Sequence, residues 1–174
     1  FYPFTNLNAI KIKDIITSLK KGAEPAAICD TPVDNIRYSP QGNKSFFFKE
    51  FIDGSALAKA EKLLPAGVLD ELKKAELAGR GGAYYPTWKK WDAAKSQPSL
   101  PKYVICNADE GEPGTFKDRV LMQTQAKSLI EGMLICGYTI GAEYGIIYLR
   151  GEYRWLKGKL DDAIQEYRIS GLLG

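Results

Sequence analysis

The clearest pattern of apolar and polar positions lies near the end of the chain. Large apolar residues recur there at intervals of three or four, which places them on one face of an α-helix. The series consists of Tyr153, Leu156, Leu160, Ile164 and Tyr167. Gly151 precedes it and Gly171 lies just beyond it, where glycine commonly ends a helix. The pattern therefore predicts a helix between these glycines, with its apolar face against a core.

Helices are also predicted in the first half of the chain. Residues 10–19 carry isoleucine and leucine at helical spacing, and Ser55 can cap a helix of about two turns. Pro65 opens a further helix, because proline is tolerated in the first helical turn, and this helix is predicted to stop at Gly79. Residues 22–42 contain three prolines and are predicted to be loop.

Two short apolar runs have the β-branched and aromatic composition of buried strands, and they span residues 102–106 and 145–149. Between them lies a long predicted helix, with Thr115 as its candidate N-cap and its end near Gly141. The order strand, helix, strand, helix is typical of a parallel α/β sheet with right-handed crossovers. The fold class predicted from the pattern is therefore α/β.

The pattern of apolar and polar residues is clear in residues 51–174 and weak in residues 1–50, so the chain is divided into two regions. Residues 51–174 hold both strands and most of the helices, so we expect them to form the α/β domain. Residues 1–50 show little pattern and are treated as an N-terminal extension of unclear structure. Within that extension, the three phenylalanines at residues 46–48 suggest a short strand or a docking segment.

Composition excludes several functions. The chain has 24 basic and 21 acidic residues, which is too even a balance to indicate nucleic-acid binding. No apolar run approaches the roughly 20 residues that cross a bilayer, so direct membrane insertion is not predicted. Histidine is absent, which removes His-based triads and most catalytic zinc sites. A hydrolase is also disfavoured, because the closely spaced carboxylates that could suggest one crowd a single loop without an accompanying nucleophile or histidine.

The chain has three cysteines, Cys29, Cys106 and Cys136. Their number is odd, their spacing is wide and no CxxC pair occurs. This pattern predicts neither a disulfide framework nor a zinc or iron–sulfur site made by this chain alone. It fits a reducing compartment best.

A glycine-rich segment, GRGGAYYPTWKKW, spans residues 79–91 and is predicted to be loop, followed by a linker over residues 92–101. Glycines let the backbone approach an anion closely and expose consecutive N–H groups to it. Arg80 and Lys90 add positive charge, so a phosphate-bearing ligand is the natural candidate. Plain loop geometry explains the glycines equally well, because the segment lacks the context of a Rossmann fingerprint or a P-loop.

An acidic segment, NADEGEPG, occupies residues 107–114 between a predicted strand and a predicted helix. Ligands of open α/β sheets bind beyond the carboxyl ends of strands. The three carboxylates could accept hydrogen bonds from ribose hydroxyls, a flavin N–H or a carboxamide. The alternative is an acidic turn that only caps a helix, since carboxylates favour helix N-termini.

Four aromatic residues crowd the glycine-rich loop. They are Tyr84, Tyr85, Trp88 and Trp91. A flat ring such as adenine could stack on them, although packing in a core is the more usual explanation for such a cluster.

Together, in this order and at this spacing, the two loops resemble the flavoprotein subunit of respiratory complex I, a module that also occurs in NAD-linked hydrogenases and formate dehydrogenases. The first motif of that family reads GRGGAGFPTG-x-KW, which corresponds to residues 79–91 of this chain. The second motif, NADEGEPGTFKDR-x-LM, is matched in full from Asn107 to Met122. The later GIIYLRGEY, residues 145–153, is similar to the family's strand and turn.

The resemblance implies a Rossmann-like parallel-sheet domain that binds FMN and NAD(H). On its motifs, the phosphate and ribityl side of FMN would lie against Gly79, Arg80, Gly81 and Lys90. The flavin itself would be held by Asn107, Asp109 and Glu110. Glu112 would bind the nicotinamide end of NADH as the catalytic residue, and Tyr85 stands where the family has a phenylalanine that helps to stack NADH.

The reaction implied by the resemblance is hydride transfer between nicotinamide C4 and flavin N5, which requires no histidine. Electrons would then leave singly through iron–sulfur clusters, with a 4Fe–4S cluster expected in missing or partner polypeptide rather than in this chain. The implied partners are other subunits of a redox complex, including a 2Fe–2S thioredoxin-like subunit and iron–sulfur proteins. The implied location is cytoplasmic, including the periphery of the inner membrane as part of a complex.

The chain departs from the family pattern in two respects. Tyr84 and Trp88 occupy positions that are glycine in the family, where their rings would either obstruct a pocket or stack on a ligand. The sequence also stops at Gly174, before the family's further flavin-binding stretch and cluster domain, so an incomplete domain is expected. Two alternatives remain open: a structural relative that has lost FMN, and an unrelated α/β nucleotide-binding module.

Overall fold

The computed structural model describes residues 2–30 and 52–174. Residues 46–48, predicted to be a short strand or a docking segment, lie outside the described residues, as does much of the loop predicted at residues 22–42. In the described part of that loop, Pro25–Ile28 forms a short helix, so the loop prediction is wrong there. The helices are α1 (Ala9–Lys20), α2 (Pro25–Ile28), α3 (Ser55–Lys74), α4 (Thr87–Lys95), α5 (Lys117–Thr124), α6 (Ala126–Ile140) and α7 (Lys157–Ile169). The strands are β1 (Tyr103–Ala108) and β2 (Tyr144–Leu149), and a 3₁₀ helix spans Gly151–Leu156.

The two strands form a parallel sheet, as the sequence predicts. Tyr103 lies opposite Tyr144 at one end, and Ala108 lies opposite Leu149 at the other. The chain passes between the strands through α5 and α6, and α6 packs against both strands, with α7 beside it. The carboxyl ends of β1 and β2 therefore lie side by side, and the segments that follow them meet at one edge of the sheet.

The main core lies where the sheet meets α5, α6, the 3₁₀ helix and α7. Its buried members are Ala108, Met122, Ala126, Ile130, Tyr153, Leu156, Leu160, Ala163 and Tyr167. The apolar face predicted after Gly151 is therefore confirmed, although its first turns are 3₁₀ rather than α. Burial of each large side chain of this face contributes about 1.5–3 kcal/mol.

Among the residues that the structure describes, side chains cover only one face of the sheet, which corrects the prediction of two buried strands. Ile105 is 64% exposed, and Tyr103, Tyr144, Ile146 and Tyr148 are exposed on the same face. Successive side chains of a strand point to opposite faces, so α6 can cover only the alternate set. Val104, Cys106 and Ile147 belong to that covered set and are partly buried.

Helix α4 lies where the sequence predicts a loop and a linker, so both predictions are wrong over Thr87–Lys95. The glycines that suggest a loop end at Gly82, and the residues from Thr87 onward include alanine and lysine, which favour helices. Pro86 precedes the first turn with an extended backbone, φ −60° and ψ 124°. Packing against α3 and α6 completes the helix.

The predicted helix caps Ser55 and Thr115 are also wrong. Helix α3 begins at Ser55 itself, and its first turn is capped by the carboxylate of Glu131 from α6. The Thr115 hydroxyl donates to the carbonyl of Glu112 at 2.6 Å, and α5 begins two residues later at Lys117. The first turn of α5 is capped instead by the carboxylate of Glu110. In both places a carboxylate from outside the first helical turn replaces the expected hydroxyl cap.

The remaining helix boundaries are partly as predicted. Helix α1 confirms the prediction for residues 10–19, and the side chain of Asn8 caps it by accepting the N–H of Lys11 at 2.9 Å. Helix α3 is kinked at Leu64, where the pattern separates two helices, but it ends at Lys74 rather than at Gly79. The long helix predicted after Thr115 is divided at Gln125 into α5 and α6.

Candidate functional site

The glycine turn, residues 79–82, connects α3 to α4 and is closed at its base by backbone contacts. The N–H of Gly79 donates to the carbonyl of Tyr85 at 2.9 Å, and Ala78 forms a bridge with Pro86. Gly82 has φ +108°, a conformation that side chains other than glycine rarely adopt. A Cβ atom added at Gly81 or Gly82 would meet no atom within 4 Å. The tip of the turn therefore leaves open space in which a ligand can approach the backbone.

Tyr84 occupies the far side of this turn in a strained conformation. Its φ is +53° and its side chain is 62% exposed. The guanidinium of Arg80 donates to the Tyr84 hydroxyl at 2.7 Å and lies 5.0 Å from the centre of the ring. Arg80 is therefore held by Tyr84 at the surface of the turn.

A cavity of about 710 Å³ lies between the glycine turn, α4, β1 and α6. Four of the predicted site residues line it, namely Gly79, Gly81, Tyr85 and Lys90. Tyr84 and Trp91 line it as well, whereas Arg80 does not. The structure thus brings the glycine turn and the lysine of the first motif together around one space.

Tyr84 and Trp88 both stand where the family pattern has glycine, and of these two residues only Tyr84 lines this cavity. Trp88 lies against the end of α3, with the ammonium of Lys73 5.1 Å from its ring. The ammonium of Lys89 is 5.6 Å from the same ring. Tyr84 and Tyr85 are exposed, so packing in a core does not explain the tyrosines of the aromatic cluster.

The wall of the cavity on the sheet side carries two thiols, Cys106 and Cys136. Burial raises the pKa of both, and that of Cys136 reaches about 11, so both thiols are protonated at neutral pH. Across residues 2–30 and 52–174, no three histidine, cysteine, aspartate or glutamate side chains lie close enough together to hold a metal ion.

The acidic turn, residues 107–112, begins at the carboxyl end of β1. Its first residue stabilises it locally, because the side-chain oxygen of Asn107 accepts the N–H of Asp109 at 3.1 Å. Asn107, Asp109 and Glu112 are exposed. Within the described part of the chain, the carboxylates of Asp109 and Glu112 accept no hydrogen bond, so they are available to a ligand.

Glu110 differs from its neighbours in the acidic turn because it is only 5% exposed. Its carboxylate accepts the N–H of Asp118 at 2.9 Å and that of Arg119 at 3.3 Å, in the first turn of α5. It also accepts the hydroxyl of Tyr153 at 3.1 Å. Burial alone would raise the pKa of Glu110, but these hydrogen bonds outweigh it and hold the pKa below its ordinary value. The carboxylate is therefore ionised and directed inward.

Two residues that follow β2 hold the acidic turn, and the sequence pattern does not identify them as site residues. The N–H of Arg150 donates to the carbonyl of Ala108 at 3.2 Å, and its guanidinium donates to the carbonyl of Glu110. Tyr153 is the second of them, through its hydroxyl. Because parallel strands end at the same edge of a sheet, the residues after β2 could have been expected beside those after β1.

The glycine turn and the acidic turn are connected through β1. Residues 103–106 of β1 line the cavity beside the glycine turn, and the acidic turn follows the same strand from Asn107. Among the described residues, none of the acidic turn lines that cavity. A larger cavity of about 1200 Å³ follows β2, α6 and α7, and no predicted site residue lines it.

The chain is similar in sequence to known flavoprotein subunits. The family model described as "Nuo51 FMN-binding domain" matches residues 72–172. The NAD-reducing hydrogenase HoxS subunit alpha of Cupriavidus necator is 44% identical over 98% of this chain and 30% of its own length. An NADH-quinone oxidoreductase subunit of Aquifex aeolicus is 50% identical over 68% of this chain and 28% of its own length.

A solved structure has the same fold. It is the crystal structure of an NAD⁺-reducing [NiFe]-hydrogenase in the H2-reduced state, at a TM-score of 0.77 and 32% identity. The match covers 95% of this chain and 29% of that chain. The present chain thus spans about 30% of the length of the curated relatives that it matches. None of the helices within residues 2–30 and 52–174 is both long enough and apolar enough to cross a bilayer.

Proposed function

Because this chain belongs to the Nuo51 FMN-binding domain family, we propose that it forms part of the FMN and NAD(H) site of an oxidoreductase subunit. The activity proposed for the whole subunit is hydride transfer between NADH and FMN. The observation that carries the proposal is the single cavity lined by Gly79, Gly81, Tyr85 and Lys90. FMN, when bound, supplies the acceptor for a hydride and passes electrons on one at a time.

The residues around the glycine turn fit the phosphate and ribityl side of FMN. A phosphate requires exposed N–H groups and positive charge, and the turn offers open backbone at Gly81 and Gly82. Lys90 lines the same cavity and supplies a cation. Arg80 lies at the outer surface of the turn, where its contact with Tyr84 holds its charge close to the glycines.

The acidic turn fits the polar groups of the flavin and of the nicotinamide. Asn107 and Asp109 lie at the carboxyl end of β1, where open α/β sheets bind ligands, and we assign them to the flavin. Glu112 is exposed in the same turn, and we assign it to the nicotinamide end of NADH. Glu110 contributes to the flavin site by fixing this turn, because its carboxylate is occupied by internal hydrogen bonds. Tyr85, half-exposed at the cavity, is placed to stack on NADH.

The length of the match favours a subunit like HoxS alpha, but it does not separate hydrogenases from quinone oxidoreductases, because the NADP-reducing hydrogenase subunit HndC of Solidesulfovibrio fructosivorans also aligns over 68% of this chain. The HoxS subunit aligns over 98% of this chain, whereas the quinone oxidoreductase subunit of Aquifex aeolicus aligns over 68%. The N-terminal extension, which carries none of the family motifs, is therefore shared with the HoxS subunit. On this basis we propose that the subunit is of the HoxS type.

The proposed complex contains further subunits and cofactors. Electrons leave through iron–sulfur clusters, including a 4Fe–4S cluster, that other polypeptide supplies. A 2Fe–2S thioredoxin-like subunit and iron–sulfur proteins are the partners that the family resemblance implies. The proposed location is the cytoplasm or the periphery of the inner membrane.

A visible absorbance spectrum of the purified complex tests the function. Flavin absorbance that bleaches on addition of NADH is expected. A colourless complex without NADH-linked dye reduction would contradict the proposal and favour a structural relative that has lost FMN.

Glu112→Ala tests the assignment of the nicotinamide site. Loss of a hydrogen bond to a charged group is expected to lower kcat/KM for NADH by about 10- to 100-fold. FMN content should stay unchanged. Glu143→Ala is the matched control, because Glu143 is an exposed carboxylate at the opposite end of the sheet, before β2. Loss of FMN without a selective effect on NADH would show that Glu112 has a different role.

A further inference from the structure

The acidic turn is attached to the segment that follows β2 by three hydrogen bonds. The N–H of Arg150 reaches the carbonyl of Ala108, its guanidinium reaches the carbonyl of Glu110, and the Tyr153 hydroxyl reaches the Glu110 carboxylate. We propose that Arg150 and Tyr153 are positioning residues that fix the acidic turn for NADH binding. This inference rests on the proposed function, because it concerns the same site.

The Glu110 carboxylate is the centre of this arrangement. Two N–H groups of α5 and one tyrosine hydroxyl occupy it, and the ammonium of Lys117 lies 4.0 Å away. A buried carboxylate with these donors has one favourable position, because displacement would leave the buried Tyr153 hydroxyl and two part-buried N–H groups without this acceptor. Glu110 therefore fixes the middle of the acidic turn against the protein.

Tyr153 is suited to act as a fixed donor. It belongs to the buried core, and the guanidinium groups of Arg150 and Arg119 lie 5.6 and 6.0 Å from its ring. Burial and the hydrogen bond to Glu110 raise the pKa of its hydroxyl, which therefore keeps its proton. Its position is set by the core, and through Glu110 it transmits that position to the turn.

The consequence is a division of the turn into an inward and an outward part. Glu110 points inward and is buried, whereas Asp109 and Glu112 are exposed on either side of it. Loosening the inward contact would let the outward carboxylates move. A small displacement of Glu112 would weaken its contact with NADH.

The test compares Tyr153→Phe with Tyr167→Phe in the subunit within its complete complex. Both changes delete only a phenolic oxygen from a buried ring, and both oxygens face a buried glutamate. Tyr153→Phe is expected to raise KM for NADH about five- to tenfold, with kcat changed less than about twofold, because binding by Glu112 weakens in ground state and transition state alike. Tyr167→Phe should leave both constants unchanged.

Amide hydrogen exchange at residues 109–112 gives a readout that does not depend on turnover. Exchange there is expected to become about tenfold faster in Tyr153→Phe and to stay unchanged in Tyr167→Phe. Arg150→Lys is a second variant for use if the Tyr153→Phe complex does not assemble. It keeps the positive charge but loses the guanidinium fork, so its KM should change in the same direction.

The outcomes separate the two proposals. If the wild-type complex holds flavin and oxidises NADH, but both Tyr→Phe variants have equal KM values and exchange rates, the positioning role is overturned. If the wild-type complex is colourless and does not oxidise NADH, the proposed function fails and the positioning role fails with it. A higher KM and faster exchange in Tyr153→Phe alone would support both.

Discussion

Two buried glutamates in this chain have similar contacts and different surroundings. Glu110 accepts two backbone N–H groups at the start of α5, and Glu131 accepts two at the start of α3. Each carboxylate also faces a tyrosine hydroxyl, Tyr153 at 3.1 Å and Tyr167 at 3.4 Å. The same chemistry, a carboxylate that caps a helix and is held by a phenol, therefore occurs twice.

The surroundings determine what each pair does. Glu131 is only 1% exposed and connects α6 to the start of α3, which lies 74 to 77 residues earlier in the chain. Glu110 lies within a turn whose next carboxylates are exposed, and it caps a helix only eight or nine residues away. The pair of Glu131 and Tyr167 therefore joins distant parts of the fold, whereas the pair of Glu110 and Tyr153 fixes a short segment that carries two exposed carboxylates.

The largest expected effect separates the two glutamates directly. Glu131→Ala leaves the buried N–H of Leu57 and the part-buried N–H of Gly54 without a partner and is expected to lower the free energy of unfolding by about 3 kcal/mol. Glu110→Ala removes a local cap and should cost about 1 kcal/mol, with a loss of NADH oxidation beyond the loss of stability. Urea unfolding and NADH kinetics measure the two effects. Equal losses of stability would show that the two pairs do not differ in this way.

An intermediate effect is expected from Tyr84, which lines the cavity beside the glycine turn. Tyr84→Gly removes the strain of a positive φ, which is offset in part by the greater freedom of glycine in the unfolded chain, so a net gain of about 0.5–1 kcal/mol is expected. Tyr85→Gly is the matched control, because Tyr85 has no positive φ and should lose stability. Thermal unfolding of the two variants measures the difference, and a loss of stability in Tyr84→Gly would contradict the strain at this position.

The smallest expected effect concerns pH, and it has opposite signs for the glutamate of one pair and the tyrosine of the other. The pKa of Glu110 is lowered in the folded state, so its contribution to stability is present above the ordinary pKa of 4.5 and is lost as pH falls through the lowered value. The pKa of Tyr167 is raised from 10.0 to about 12, so its contribution is present below pH 10.0 and is lost as pH rises toward 12.

Stability curves against pH measure this difference. The wild-type chain and Tyr167→Phe should converge in unfolding free energy between pH 10.0 and about 12, where the wild type alone loses the tyrosine contribution. Curves that stay parallel through this window would show that Tyr167 does not titrate in the predicted range.

Much of the fold and of the site could be predicted from the sequence. The apolar series that includes Leu156 and Leu160 predicts the helical face that the core buries. The two short apolar runs predict strands, and a helix between them requires parallel pairing. Gly79, Gly81 and Lys90 of the first motif line one cavity, and their role in binding a ligand stays a prediction. These features are local, because each depends on residues close together in the chain.

Other features depend on contacts that the sequence does not reveal. The first turn of α3 is capped by Glu131, which lies far away in the sequence. The residues near Ser55 therefore could not show that Ser55 is an ordinary helical residue and not the cap. Helix α4 has few apolar positions and forms against α3 and α6. The hydrogen bond from Tyr153 to Glu110 also could not be predicted, because the spacing of Tyr153 in the sequence identifies it only as a core residue.

The sequence by itself determined the two parallel strands, the core face of α7, the glycine turn and the acidic turn, and the family to which the motifs belong. Only the tertiary structure decided which carboxylate of the acidic turn points inward, which residues hold it, and which face of the sheet is covered. The physical reason is that periodicity and turn residues act over a few positions. The direction of a buried charge, by contrast, depends on donors brought together by folding, here from α5 and from the segment after β2.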